Sequence, residues 1–142
     1  MDTPFMGLIL DTSTLIHAER ARQSLPDIFA RLRTRHGNVA AALSAVTVVE
    51  LAHGIERAQT DSQRRHRQGF LDDLTGNLTV YPLTAAVADL AGRVAGRGAA
   101  RGVVIPFEDL LIGATALHHG FAVVTDNAKH FQLIPNLVVK PF

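Results

Sequence analysis

Short apolar runs alternate along the chain with longer stretches in which apolar residues recur at helical spacing. A continuous apolar run is typical of a strand that is buried on both faces. The pattern predicts five strands, at residues 7–10, 40–46, 78–81, 121–124 and 137–139. Because the alanines of the second run also suit a helix, that segment is open to either interpretation.

The stretches between these runs predict helices. Thr47 and Glu50 form a capping-box pattern, which would begin a helix at that point. Further helices are predicted at residues 24–35, 61–74, 84–96 and 106–120. The glycines Gly96, Gly98 and Gly102 would end the third of these, since glycine favours the end of a helix.

The alternation of strands with helices of ten or more residues predicts the fold class. Such an alternation is typical of βαβ units, which form parallel sheets. We therefore expect an α/β fold, a three-layer sandwich in which helices cover both faces of a mostly parallel central sheet. The chain has 142 residues, and we expect one domain over residues 1–142.

Composition excludes several kinds of site. The chain has no cysteine, which excludes a disulfide framework, a thiolate zinc site and a cysteine nucleophile. Its formal charge of +1 does not by itself predict any kind of partner, but the 14 basic residues are 12 Arg and 2 Lys. Because the guanidinium group matches phosphate, this excess favours a nucleic acid or phosphoester ligand, although genomic composition explains it equally well.

The chain also lacks the apolar segments that membranes require. The longest apolar stretch, residues 39–52, is shorter than the roughly 20 residues that a spanning helix needs. The first residues include an acid and no basic segment of the kind that opens a signal peptide. We therefore expect a soluble cytoplasmic protein.

Four acidic residues lie where carboxylates are least expected. Asp11 and Asp126 follow predicted strands, and the carboxyl ends of parallel strands share one edge of the sheet. Glu50 and Asp109 lie in predicted helices among apolar residues. Each acid has an ordinary explanation as a cap or first-turn residue. If the acids converge, however, they would repel one another unless a cation bound, and Mg²⁺ or Mn²⁺ prefers such oxygen ligands.

Four segments carry a resemblance to a known family. They are Leu10-Asp11-Thr12-Ser13, Thr47-Val48-Val49-Glu50-Leu51-Ala52-His53-Gly54-Ile55, Phe107-Glu108-Asp109-Leu110-Leu111-Ile112-Gly113-Ala114-Thr115-Ala116, and Val123-Val124-Thr125-Asp126-Asn127-Ala128-Lys129-His130-Phe131. In this order they resemble PIN-domain ribonucleases, and in particular the VapC-type toxins of bacterial toxin–antitoxin pairs. The resemblance covers nearly the whole chain and implies a PIN-like fold.

The resemblance also implies an activity and its residues. It implies an endoribonuclease that depends on Mg²⁺ or Mn²⁺, with Asp11, Glu50, Asp109 and Asp126 as the catalytic and metal-binding acids, supported by Thr12 and Ser13 beside Asp11. The family often has its fourth acid two residues after the threonine of the last segment. This chain has Asn127 there, so either Asp126 or Asn127 would complete the site.

Partners follow from the same resemblance. It implies an RNA substrate, a cognate antitoxin that binds and inhibits the protein, and a homodimer. Basic side chains near the site would contact the RNA backbone. The candidates are Arg64, Arg65, Arg67, Arg93, Arg97 and Arg101, each of which could equally lie on a solvated helix face.

Two other functions compete with this interpretation. Asp11-Thr12-Ser13 resembles the nucleophile motif of haloacid-dehalogenase-like phosphatases, but that chemistry needs a second Asp where the chain has Ser13. The other alternative is a PIN-like RNA-binding module without activity, against which the presence of Asp11, Glu50 and Asp109 argues. A metal-dependent RNA cleavage assay distinguishes these alternatives.

Overall fold

The structure is a computed structural model that describes residues 5–142. Residues 1–4, on which the prediction about the N-terminus partly rests, lie outside the described residues. The described elements, in chain order, are β1 (Leu8–Leu10), α1 (Thr12–Arg20), α2 (Leu25–His36), β2 (Ala41–Ser44), α3 (Ala45–Glu56), α4 (Asp61–Asn77), β3 (Thr79–Tyr81), α5 (Ala85–Ala99), α6 (Phe107–His119), β4 (Ala122–Val124), a 3₁₀ turn (Phe131–Leu133) and β5 (Val139–Lys140).

The five strands form one parallel sheet in the order β3-β2-β1-β4-β5. In register, Leu8 of β1 lies between Ala41 of β2 and Ala122 of β4. Because β1 is central, the residue that follows it, Asp11, lies at the middle of the sheet's carboxyl edge.

Alternate strand residues face two separate cores. Leu8 and Leu10 pack into a core with side chains of α1, α2 and α4, whereas Ile9 packs into a second core with side chains of α5 and α6. Both faces of the central strands β1 and β4 are therefore buried, which explains why their sequences are continuously apolar. The two cores and the parallel sheet confirm the predicted three-layer α/β sandwich.

Several boundaries differ from the prediction, and the capping box is wrong. Helix α3 begins at Ala45, where the hydroxyl of Ser44 accepts a hydrogen bond from the backbone N–H of Val46 at 3.2 Å. Thr47 lies inside the helix, and its buried hydroxyl pairs with the hydroxyl of Thr12 instead of capping the helix. The uncertain second run forms strand β2 only as far as Ser44.

Helix α5 passes through two of the three glycines that were predicted to end it. Gly96 and Gly98 lie within the helix, and only Gly102, with a φ of +73°, lies beyond it. A Cβ atom at Gly98 would stand 3.3 Å from the carbonyl oxygen of Val103, so this glycine allows a close approach of the chain. Within residues 5–142, no helix is both long and apolar enough to cross a membrane.

Candidate active site

Asp11 is held at the carboxyl edge of the sheet by two hydroxyl groups. Its backbone N–H donates to the carbonyl of Val124 at 3.0 Å, which extends the pairing of β1 with β4. The hydroxyls of Ser13 and Thr125 both donate to Oδ2 of Asp11, at 2.6 and 2.8 Å. The Asp11 carboxylate is almost fully buried, so these two donors fix its orientation.

Glu50 reaches the same region from the middle of helix α3. The hydroxyl of Thr12 donates to Oε1 of Glu50 at 2.7 Å and lies 2.9 Å from the hydroxyl of the buried Thr47. Partial burial raises the pKa of Glu50 above its ordinary value, and the neighbouring acids Glu108, Asp11 and Asp109 raise it further.

Asp109 enters from the first turn of helix α6. Its Oδ2 lies 2.8 Å from Nδ1 of His130, in the segment that follows β4. Partial burial raises the pKa of Asp109, and the carboxylate of Asp11 raises it further, while the hydrogen bond with His130 lowers it in part. Sequence reasoning missed His130, because no residue-type pattern connects it with an acid 21 positions earlier.

These acids line one cavity of about 230 Å³, called here the carboxylate cavity. Its lining residues are Asp11, Thr12, Ser13, Ile16, Glu50, Asp109, Asn127, His130 and Phe131. None of these described residues is Lys or Arg, so the three carboxylates face one another without a fixed cation. Cavities with this donor set suit a hard divalent ion.

Each of the three carboxylates accepts hydrogen bonds on one oxygen only. Within residues 5–142, side chains donate to Oδ2 of Asp11, Oε1 of Glu50 and Oδ2 of Asp109, and the second oxygen of each accepts none. The second oxygens therefore keep their capacity to bind a cation. In the same part of the chain, no group of three or more His, Asp or Glu side chains is already arranged to hold a metal ion. A bound ion would therefore have to draw the carboxylates together.

Asp126 and Asn127, the two candidates for the fourth site residue, lie differently with respect to the carboxylate cavity. Asp126 is exposed and is not among the residues that line the carboxylate cavity, and its backbone N–H donates to the hydroxyl of Thr14 at 3.2 Å. Asn127 is exposed as well, but it lines the cavity, and its backbone N–H donates to the hydroxyl of Thr125 at 2.9 Å. Of the two candidates left open by the sequence, Asn127 is therefore the one that lines the carboxylate cavity.

A larger groove of about 1090 Å³ adjoins the carboxylate cavity, and Glu50 lines both. We call it the arginine groove, because Arg20, Arg57 and Arg67 line it. Arg67 also donates to the carbonyl of Gly54 at 2.7 Å. The walls of the arginine groove also include exposed apolar side chains.

Only Arg67 of the six predicted arginines lines this groove. Arg64 instead pairs with Glu56, and Arg93 pairs with Asp89 on the same helix face. Arg65, Arg97 and Arg101 are exposed outside the groove. Sequence reasoning missed Arg20 and Arg57. The signal that could have identified Arg57 was its helical spacing from a candidate acid, since Arg57 follows Glu50 by two turns.

Comparison with known proteins gives consistent matches over nearly the whole chain. A family model described as "PIN domain" matches residues 8–136. The chain is 29% identical over 134 residues to Ribonuclease VapC1 of Rickettsia felis, covering 94% of this chain and 95% of that protein. It is 28% identical to Ribonuclease VapC of Rickettsia bellii, with the same coverage of both chains.

Solved structures match the fold as well. The crystal structure of VapBC2 from Rickettsia felis bound to a DNA fragment superposes with a TM-score of 0.81 at 24% identity, covering 96% of this chain and 99% of that chain. The structure of VapBC-1 from nontypeable Haemophilus influenzae gives a TM-score of 0.79 at 25% identity, covering 96% of this chain and 98% of that one. These similarities support the same α/β architecture.

Proposed function

The chain belongs to the PIN domain family, and on that premise we propose that it is an endoribonuclease that requires Mg²⁺ or Mn²⁺ to hydrolyse RNA phosphodiester bonds. One observation carries the proposal: Asp11, Glu50 and Asp109 line a single cavity without a Lys or Arg among its described lining residues. The relatives named Ribonuclease VapC support an RNA substrate.

The residues of the carboxylate cavity suit the ion. Asp11, Glu50 and Asp109 would bind it through their free oxygens, and the side-chain oxygen of Asn127 would complete the set. The raised pKa values of Glu50 and Asp109 reflect, after burial, an excess of negative charge that a divalent cation would relieve. When bound, such an ion lowers the pKa of a water and neutralises charge on the scissile phosphate.

The protein's own side chains orient the site. Ser13 and Thr125 hold Asp11, and Thr12 holds Glu50, so these hydrogen bonds restrict the orientation of both carboxylates. Arg20 and Arg57 line the adjoining groove and form no ion pair within the described residues, which leaves their guanidinium groups available for RNA phosphates.

We also propose that the chain is the toxin of a toxin–antitoxin pair and acts in the cytoplasm on RNA. The solved relatives include VapBC structures, and one from Mycobacterium tuberculosis is described as a member of the VapBC family of toxin-antitoxin systems. A cognate antitoxin would bind the chain and inhibit it. The homodimer stays a prediction, which light scattering of the purified chain tests.

A metal add-back experiment tests the proposed activity. Purified protein is treated with EDTA, and cleavage of a labelled RNA is followed before and after Mg²⁺ or Mn²⁺ is restored. We expect no cleavage in EDTA, recovery with either ion, and no recovery for Glu50→Gln. Equal cleavage in EDTA and Mg²⁺ would contradict the proposal. Binding of RNA without cleavage at any metal concentration would favour the inactive module instead.

A further inference from the structure

The support of the three carboxylates differs in one respect. Asp11 and Glu50 are held by hydroxyl groups of residues next to Asp11 or at the end of β4, whereas Asp109 is held by an imidazole ring. The ring belongs to His130, which lines the carboxylate cavity. It is the remaining polar side chain of that cavity for which the proposed function gives no role.

We propose that His130 is a positioning residue for Asp109. Nδ1 of His130 donates to Oδ2 of Asp109, and this contact would restrict the carboxylate's rotation while leaving Oδ1 free to bind the divalent ion. The inference rests on the proposed function, because it assumes that Asp109 binds that ion. His130 thus does for Asp109 what Ser13 and Thr125 do for Asp11, and what Thr12 does for Glu50. An outer hydrogen bond of this kind fixes the orientation and basicity of a metal-binding side chain.

The backbone on both sides of this contact is anchored in the core. Phe131, next to His130, is 1% exposed, and the N–H of Leu133 donates to the carbonyl of His130 at 3.1 Å. On the other side, Ile134 packs against Gly113 of α6, one turn after Asp109. Because both partners are held by these core contacts, the hydrogen bond joins two fixed elements and can set the direction of a carboxylate.

The alternative is that His130 only ties the segment after β4 to helix α6. That role predicts an effect on stability and none on the ion. The contact is partly open to solvent, with side-chain exposures of 37% for His130 and 24% for Asp109, so its loss should affect stability little. The two roles therefore predict different measurements.

Isothermal titration of the full-length protein with Mn²⁺ tests the proposal, using His130→Ala, His130→Asn and the exposed His17→Ala as a matched control. We expect His130→Ala to weaken Mn²⁺ binding about tenfold or more, in line with other outer-shell substitutions. His130→Asn should restore most of the affinity, because its amide nitrogen lies close to the position of Nδ1. His17→Ala should bind as the wild type does.

RNA cleavage and thermal melting of the metal-free proteins complete the test. We expect His130→Ala to need more Mn²⁺ for half-maximal cleavage, with a melting temperature close to that of the wild type. Mn²⁺ affinity unchanged in His130→Ala, or equally weak in His130→Asn and His130→Ala, would overturn the proposal while the wild type still cleaves RNA. If His130→Ala fails to fold, His130→Phe, which keeps an aromatic ring but has no hydrogen-bond donor, replaces it in the same comparison. A wild type that neither binds Mn²⁺ nor cleaves RNA would overturn the proposed function as well.

Discussion

Replacement of Thr12 by valine should destabilise the fold more than its small change in shape suggests. Thr12 is 3% exposed, and its hydroxyl contacts both Oε1 of Glu50 and the hydroxyl of Thr47. Within the described residues, no buried side-chain nitrogen or oxygen lacks a hydrogen-bond partner. Because valine has nearly the same shape as threonine, the substitution removes both hydrogen bonds without leaving a cavity.

The two losses can be estimated separately. A hydrogen bond to a charged group contributes about 1.5–3 kcal/mol, and the lower end applies here because Glu50 is partly exposed. Thr47 is fully buried, and its hydroxyl would lose its partner at a cost of about 1–2 kcal/mol. The free energy of unfolding should therefore fall by about 3 kcal/mol. For a chain near 150 residues this lowers Tm by roughly 6–12 °C.

The assay is thermal and urea unfolding of the metal-free protein, with Thr14→Val as the matched control. Thr14 is equally buried, but its hydroxyl accepts one bond from the backbone of Asp126 at 3.2 Å, so its loss should cost about 1 kcal/mol. In a Glu50→Gln background, the cost of Thr12→Val should shrink. Equal losses for Thr12→Val and Thr14→Val, or no coupling with Glu50, would refute the reasoning.

Three further predictions concern packing, charge and RNA contact. Gly113→Ala should lose about 1–3 kcal/mol on urea unfolding, because a Cβ there would overlap the buried side chain of Ile134. Gly92→Ala, with open space around it, should gain stability. The raised pKa of Glu50 means that the folded chain holds this proton more tightly than the unfolded chain does. The metal-free protein therefore loses stability as the pH rises above 4.5, the ordinary pKa of a Glu side chain. Glu50→Gln should raise Tm at pH 7 and flatten that decline, and an unchanged pH profile would contradict this. Arg57→Met should raise KM for RNA severalfold and leave kcat nearly unchanged; the same rise in Arg65→Met would indicate a general charge effect instead.

The sheet and three of the site residues could be predicted because local and global signals agree there. A continuous apolar run followed by Asp11 is both a buried strand and a strand end, and parallel strands bring their carboxyl ends to one edge. Glu50 and Asp109 stood out because a carboxylate among apolar residues needs a partner. These properties belong to short segments, so they can be recognised without the tertiary structure.

The remaining features depend on contacts that no short segment encodes. The start of helix α3 was misplaced because Thr47 fits a capping pattern, while tertiary packing buries it against Thr12 and leaves Ser44 as the cap. The choice between Asp126 and Asn127 depends on the turn after Thr125, since a difference of one residue decides which of the two lines the cavity. Likewise, most predicted arginines either pair with nearby acids or point elsewhere, which depends on how the helices are rotated.

The central claim is that RNA cleavage depends on the carboxylates inside the cavity and on no other acid nearby. The most direct test is the rate of Mg²⁺-dependent RNA cleavage by the wild type, Asp11→Asn and Asp126→Asn, measured at the same protein and metal concentrations. Asp11→Asn removes a charge from the cavity and should lower the rate about a hundredfold or more, because a metal-stabilised reaction loses several kcal/mol. Asp126→Asn removes an exposed charge outside the cavity and should cleave at nearly the wild-type rate. Equal rates for the wild type and Asp11→Asn, or a loss confined to Asp126→Asn, would contradict the account.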